Sequence, residues 1–340
     1  NSTYTYKGEP VKVQEVGREL GVKYVLEGSV KKSSGRVRIT AQLIDAINGH
    51  HLWAKQYERS LSDIFAVQDE ITKKIITAMQ VKLTEGDQVK SAAKGTENLE
   101  AYLLVLKANE LTQRGNIENN AKARQLTKEA IDLDPAYAVA YRVLATTYLY
   151  DLWTDPSKPE TQLLVEAERL LKNAITLDKN YAEAYSSLGW LYTNKGNNEK
   201  AIELAKKAIS LNPNSAEAHF RMGKVLTFAK KHEESILEYN MAIRLNPIPS
   251  SNYLWSLSLS YAAIKEYEKA IEWCNKAITK EPDDLTGRIM MTVIYSLSGN
   301  EEKARLEADE VLRINPNFSL ERYSKRASPR FIEALRKSGL

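Results

Sequence analysis

The sequence predicts a mainly α fold, a solenoid of about six helix pairs plus capping helices, preceded by a small α+β domain. Three observations predict it. Pro213, Pro247, Pro282 and Pro316 stand 34, 35 and 34 residues apart. Ahead of each proline small residues recur: Ala201 and Ala208, Ser235 and Ala242, Ala270 and Ala277, Ala304 and Val311. Within residues 1–90 the stretch from Tyr24 to Tyr57 instead alternates apolar and polar side chains between short turns, which is the period of strands.

In that first region Lys12 to Leu20 reads as a short helix closed by Gly21. Tyr24, Leu26 and Val30 alternate along a strand, Ser33-Ser34-Gly35 turns the chain, and Val37, Ile39, Ala41 and Leu43 alternate along the next. Asn48-Gly49 marks a hairpin, since both residues tolerate positive φ, and Leu52 to Tyr57 reads as a third strand. Ser62 or Asp63 caps a long helix with Ile64, Val67, Ile71, Ile75 and Ala78 on its inner face.

The array follows over 91–316, with repeats at 98–135, 136–180, 181–214, 215–249, 250–283 and 284–316. One unit carries the physics of all. Tyr185, Leu188, Gly189 and Tyr192 follow the helical period, and Gly189 lets a partner helix approach. Lys195-Gly196-Asn197-Asn198 turns the chain; Ala201, Ile202, Leu204, Ala205 and Ala208 form the second helix. Asn212-Pro213 stops it, because the residue before proline avoids helical angles. The first two repeats are modified: Leu104, Ala108, Leu111, Ala123 and Ala130 mark one, and Leu144, Ala145, Tyr148, Ala167 and Ala174 the other. Gly115 to Asn120 lengthens the turn of the first, Asp151 to Glu160 swells that of the second, and Lys179-Asn180 replaces its closing proline. Residues 317–340 read as capping helices, with Phe331, Ile332 and Leu335 on one face.

A helical pair of this length, with small residues where helices cross and Tyr192, Leu226, Tyr261 and Tyr295 in the preceding helices, resembles the tetratricopeptide repeat. The resemblance implies a right-handed solenoid that binds other chains and does not catalyse. It also implies that the first helix of each pair lines the concave face. The runs Val16 to Val30, Arg36 to Asp45 and Asp63 to Ile71 are similar to the amino-terminal domain of TolB. That resemblance implies a place between a bacterial signalling domain, a class III adenylate/guanylate cyclase or a winged-helix transcription regulator, and a tetratricopeptide array. It further implies that the first strand and helix of the small domain precede Asn1 to Gly8, so the small domain is expected to be truncated and its sheet to have an unsatisfied edge. Pairing of two copies through this edge is the expected route to a homodimer. If the parent carries an upstream spanning helix these residues are periplasmic, and otherwise cytoplasmic.

The 340 residues carry 48 basic and 44 acidic side chains, a net charge of +4, too even a balance for a nucleic-acid surface. Lys31, Lys32, Arg36 and Arg38 flank a hairpin, and Lys230-Lys231-His232 is a solvated turn. No run of 18 apolar residues spans a membrane. His50 and His51 are adjacent on a strand and point to opposite faces, which disfavours a shared metal ion. No catalytic, cofactor or metal constellation is found, and Cys274, mid-helix among small apolar residues, reads as a packing residue.

Function is therefore expected in the groove, from first-helix positions that do not pack internally: Arg142, Tyr150, Trp190, Asn194, Phe220, Arg221, Lys224, Phe228, Trp255, Leu259, Ile289 and Val293. The aromatic residues would anchor a protein or peptide ligand. Lys224 and Asn194 alone are too few for a carboxylate clamp, so an apolar segment with acidic flanks meeting Arg142, Arg221 and Lys224 is the expected partner. The reading is a non-catalytic sensory or scaffolding region of a bacterial signalling protein, regulating an upstream nucleotide cyclase domain. Two other readings are a regulatory region of a winged-helix transcription regulator and a plain assembly scaffold.

Overall fold

The computed structural model describes residues 11–33, 35–60, scattered positions from 63 to 74, 95–113, 116–155, 157–320 and 327–340. Its backbone divides into two units: residues up to Leu106 with Glu129–Tyr137, and Lys107–Lys128 with Ala138–Leu340.

In the first unit helix α1 (Val13–Leu20) is followed by strands β1 (Tyr24–Ser33), β2 (Arg36–Asp45) and β3 (His51–Ser60). Gly21 ends α1 at φ 63°, and the Val22 N–H donates to the Gly17 carbonyl at 3.0 Å, closing a left-handed cap. A Cβ on Gly17 would run into Ala46, so bare backbone lets α1 approach the chain beyond β2. The strands form an antiparallel meander in the order β1-β2-β3, with Leu26 opposite Leu43 and Ile39 opposite Tyr57. One face buries Val37, Ala41, Leu43 and Tyr57. β1 is an edge strand among the described residues, and its Leu26 and Val30 stay 50% and 60% exposed. Of the helix expected from Ser62 or Asp63, Val67 is helical and buried, whereas Ile64, Ile75 and Ala78 lie outside the described residues, as do Asn1 to Gly8.

Helices α2 (Leu99–Gln113) and α3 (Ile117–Leu133) contribute to both units. The second unit continues in pairs: α4 (Ala138–Thr154) with α5 (Glu160–Leu177), α6 (Ala182–Asn194) with α7 (Asn198–Leu211), and α8 (Ala216–Phe228) with α9 (His232–Leu245). Then follow α10 (Ser251–Ala263) with α11 (Tyr267–Lys280), and α12 (Leu285–Leu297) with α13 (Glu301–Ile314). From α4 onward each first helix packs on its own partner and on the next first helix, so first helices share one continuous layer. The small-residue ladder sits at the crossings. Ala167, Ala174, Ala201, Ala208, Ser235, Ala242, Ala270, Ala277 and Val311 are fully buried, and Ala304 nearly so. Gly223 has the same origin: a Cβ there would stand 2.6 Å from the Tyr239 ring.

The turns within the four pairs from α6 to α13 repeat one backbone device. Gly196, Lys230, Lys265 and Gly299 adopt φ of 74°, 60°, 67° and 81°. The following N–H donates back to the carbonyls of Tyr192, Leu226, Tyr261 and Tyr295 at 2.9 to 3.0 Å, satisfying helix ends that would otherwise be orphaned. The array closes with α14 (Pro329–Lys337), whose Ile332 and Leu335 are buried and whose Phe331 packs beside the cluster of Ile289, Met291 and Val311.

Two turns differ from expectation. Helix α3 already begins at Ile117, because the Asn116 carboxamide accepts the Asn119 N–H at 2.7 Å and caps it. Helix α4 continues through Asp151 to Thr154, leaving a connection of only 155–159. Asp151 looks like a turn residue in sequence, yet it is 1% exposed. Arg124 and Lys158 each meet its carboxylate at 2.6 Å, and the Asn120 carboxamide donates to it at 2.7 Å. A buried carboxylate so neutralised can sit inside a helix.

Candidate peptide-binding site

The continuation of α4 by one turn carries Trp153 onto the layer of first helices. There it meets residues from the next two repeats. Its ring stacks on Trp190 of α6 at 6.2 Å between centroids, inclined 16°. Phe228, at the end of α8, sets its edge against both, at 6.3 Å from Trp153 and 5.4 Å from Trp190. Edge-to-face and offset contacts suit the ring quadrupoles. The two tryptophans are partly buried and Phe228 is 42% exposed, so the cluster is open on one side. Asn194 locks it: its carboxamide oxygen accepts the Trp153 indole N–H at 3.0 Å, and its NH2 donates to the Trp190 carbonyl at 2.7 Å.

Lys224 lies one turn back on α8. Its Nζ stands 4.2 Å from the Trp190 ring centroid and 5.8 Å from that of Phe220. Burial first, and Arg221 nearby second, pull its amine down from the ordinary lysine value to about 8, against the opposing field of Glu217. Arg221 itself is paired to Glu217 at 2.7 Å. The Arg142 Nε donates to the Tyr181 hydroxyl at 2.6 Å. Arg142 and Arg221 line a small cleft with Ser186 and Glu217, and the Ser186 hydroxyl is buried there without a hydrogen-bond partner among the described residues.

The structure thus draws together Trp190, Asn194, Lys224 and Phe228, with Arg142 and Arg221 beside them. It places other predicted residues differently. Phe220 is 4% exposed and stacks on Tyr253 at 4.0 Å, inclined 7°, which ties one repeat to the next. Ile289 and Val293 are 0% and 1% exposed in the core next to the cap. These three are closed to a ligand, because the first helix of the following repeat, or α14, covers them. Trp255 and Leu259 are partly buried against that same core. Tyr150 is partly buried. Trp153 is absent from the sequence reading, since it falls in a stretch that looked like a swollen turn. Its spacing of 37 residues before Trp190 is near the repeat period and is the signal that could have found it.

Among the described residues no group of three metal-ligating side chains gathers, and no helix is long and apolar enough to cross a membrane. His50 and His51 are both exposed. Cys274 is fully buried, its thiol pushed up to about 12 by burial, and its Sγ lies 3.5 Å from the Gly287 carbonyl.

Residues 182–215 and 220–284 match family descriptions of the tetratricopeptide repeat. These helix pairs are tetratricopeptide repeats. Two solved structures share the fold at low identity. A chain of the APC/C hetero-tetramer Cut9-Hcn1 has TM-score 0.54 and 17% identity, over 81% of this chain and 53% of that one. The type IV pilus biogenesis factor PilW has TM-score 0.51 and 15% identity, over 68% of this chain and 100% of that one. A curated protein of Rhizobium meliloti (strain 1021), named "Putative adenylate cyclase 3", is 42% identical over 151 residues, 44% of this chain. The chain spans about a quarter of that relative, 26% of its length.

Proposed function

We propose that this chain is a non-catalytic protein-interaction region whose first-helix face binds a peptide segment of a partner. In this reading binding regulates a nucleotide cyclase domain of the same bacterial signalling protein. The observation that carries the binding site is the open cluster of Trp153, Trp190 and Phe228. Large aromatic side chains already held by neighbours lose little freedom on binding and dominate interface energies. The tetratricopeptide array supports protein interaction as the general role. The likeness to a protein named as an adenylate cyclase supports the choice of output.

The test uses the longer protein that contains this chain. Trp190→Ala, confirmed folded by circular dichroism, is compared with wild type for partner capture and for cyclic-nucleotide production. Loss of the partner together with altered output supports the reading. Unchanged capture moves the binding site elsewhere, and an absent cyclase activity removes the proposed output.

A further inference from the structure

Resting on that reading of the aromatic face, we propose that Lys224 is held without a counter-ion in order to receive a carboxylate, the side chain of an aspartate or glutamate next to an apolar residue of the bound peptide. Three observations lead there. First, among the described residues no carboxylate stands within ion-pair distance of the Lys224 amine; its near contacts are the faces of Trp190 and Phe220. A partly buried ammonium that lacks a partner costs stability, and it gains strongly when a charge-assisted hydrogen bond is offered. Second, the neighbouring charges are already committed. Arg221 and Glu217 neutralise each other at 2.7 Å, and Glu217 also accepts the Tyr253 hydroxyl at 3.1 Å. With Arg142 held by the Tyr181 hydroxyl, Lys224 is the positive charge left facing the tryptophan ring. Third, Asn194 spends both ends of its carboxamide on Trp153 and Trp190. The one N–H left on its NH2 carries no charge, so Lys224 supplies the charge-assisted contact to the carboxylate.

The geometry also orders the ligand. An apolar side chain on the open edge of Trp190 and Phe228 lies beside the amine at 4.2 Å from the Trp190 centroid, so the acid and the apolar residue must be neighbours on one peptide face. Recognition then needs both.

The probe is a random 12-residue library displayed internally on phage, so that no peptide has a free carboxyl terminus, panned on the full chain. Enriched peptides should pair an aspartate or glutamate with an aromatic or large aliphatic residue. The consensus peptide is then synthesised acetylated and amidated, with its acid present or changed to the amide, and titrated against wild type and Lys224→Met. The account expects about tenfold weaker binding when either charge is removed, and no further loss when both are. Lys224→Arg, which keeps the charge, should retain part of the affinity. Enrichment of apolar peptides without an acid overturns the Lys224 assignment and leaves the aromatic face standing. An acid whose removal matters equally on Lys224→Met also overturns it, and so does binding that requires a free carboxyl terminus. Enrichment that survives Trp190→Ala removes the aromatic-face reading as well.

Discussion

Lys224 and Glu168 show how single charges set the pH behaviour of one array at its two ends, alkaline and acid. Glu168 accepts from Lys172 at 2.7 Å and from the Tyr192 hydroxyl at 2.9 Å, and it pairs with Lys195. Lys172 first and then Lys195 hold its carboxyl down at about 2, from an ordinary 4.5. Its contribution is therefore complete above about pH 4.5 and is lost as the pH falls toward 2. Glu168→Gln should lower stability by about 1 kcal/mol at pH 7 and flatten that acid limb, read by urea melts across pH. Lys224 acts in the same direction at the alkaline end: folding lowers its affinity for a proton, so stability should rise between about pH 8 and 10.5. Lys224→Met should raise stability at pH 7 by about 1 kcal/mol and erase that rise, because a buried unpaired amine is gone. The tryptophans separate in the same experiment. Trp255, packed against the Ile289 core, should cost about 3–5 kcal/mol on truncation to alanine, and Trp190, open on one side, about 1–2 kcal/mol.

At the scale of helices and turns, the period of Pro213, Pro247, Pro282 and Pro316 made the regular repeats legible, since each proline stops one helix and each small residue marks one crossing. The strands were legible for the same kind of reason: alternation at Val37, Ala41 and Leu43 matches a face that is buried. Legibility failed where a tertiary partner overrides a local signal. Asp151 reads as a turn residue until Arg124, 27 positions earlier in the chain, is seen to neutralise it. Trp153 was hidden by that same error. Phe220, Ile289 and Val293 have the right helical phase for a groove, but phase does not tell how much of it the next repeat covers. Lys230 reads as part of a solvated turn, yet it and Lys265 occupy the left-handed position that Gly196 and Gly299 fill in sister repeats. Replacing both lysines by glycine should relieve strain and stabilise by up to about 1 kcal/mol in total, measured by denaturant melts. Arg124→Ala should cost about 3 kcal/mol, because it strips a buried carboxylate of a partner and loosens the turn that presents Trp153.

Over the whole array, stability and binding share one layer. First helices touch one another from repeat to repeat, so every aromatic residue there either ties neighbours together, as Phe220 and Tyr253 do, or remains open, as Phe228 does. A solenoid gains its core from such neighbour contacts, and its end needs a cover. Here α14 supplies one through Ile332 and Leu335. What is left open near Trp153, Trp190, Phe228 and Lys224 is the part of the layer that packing does not use. The most direct measurement places a p-benzoylphenylalanine photocrosslinker at Phe228 and, separately, at Leu237, which is 70% exposed on the second helix α9. After irradiation of the protein in cells, the account predicts a defined crosslinked partner from position 228 and none from 237. A partner crosslinked from 237 and not from 228 would contradict it.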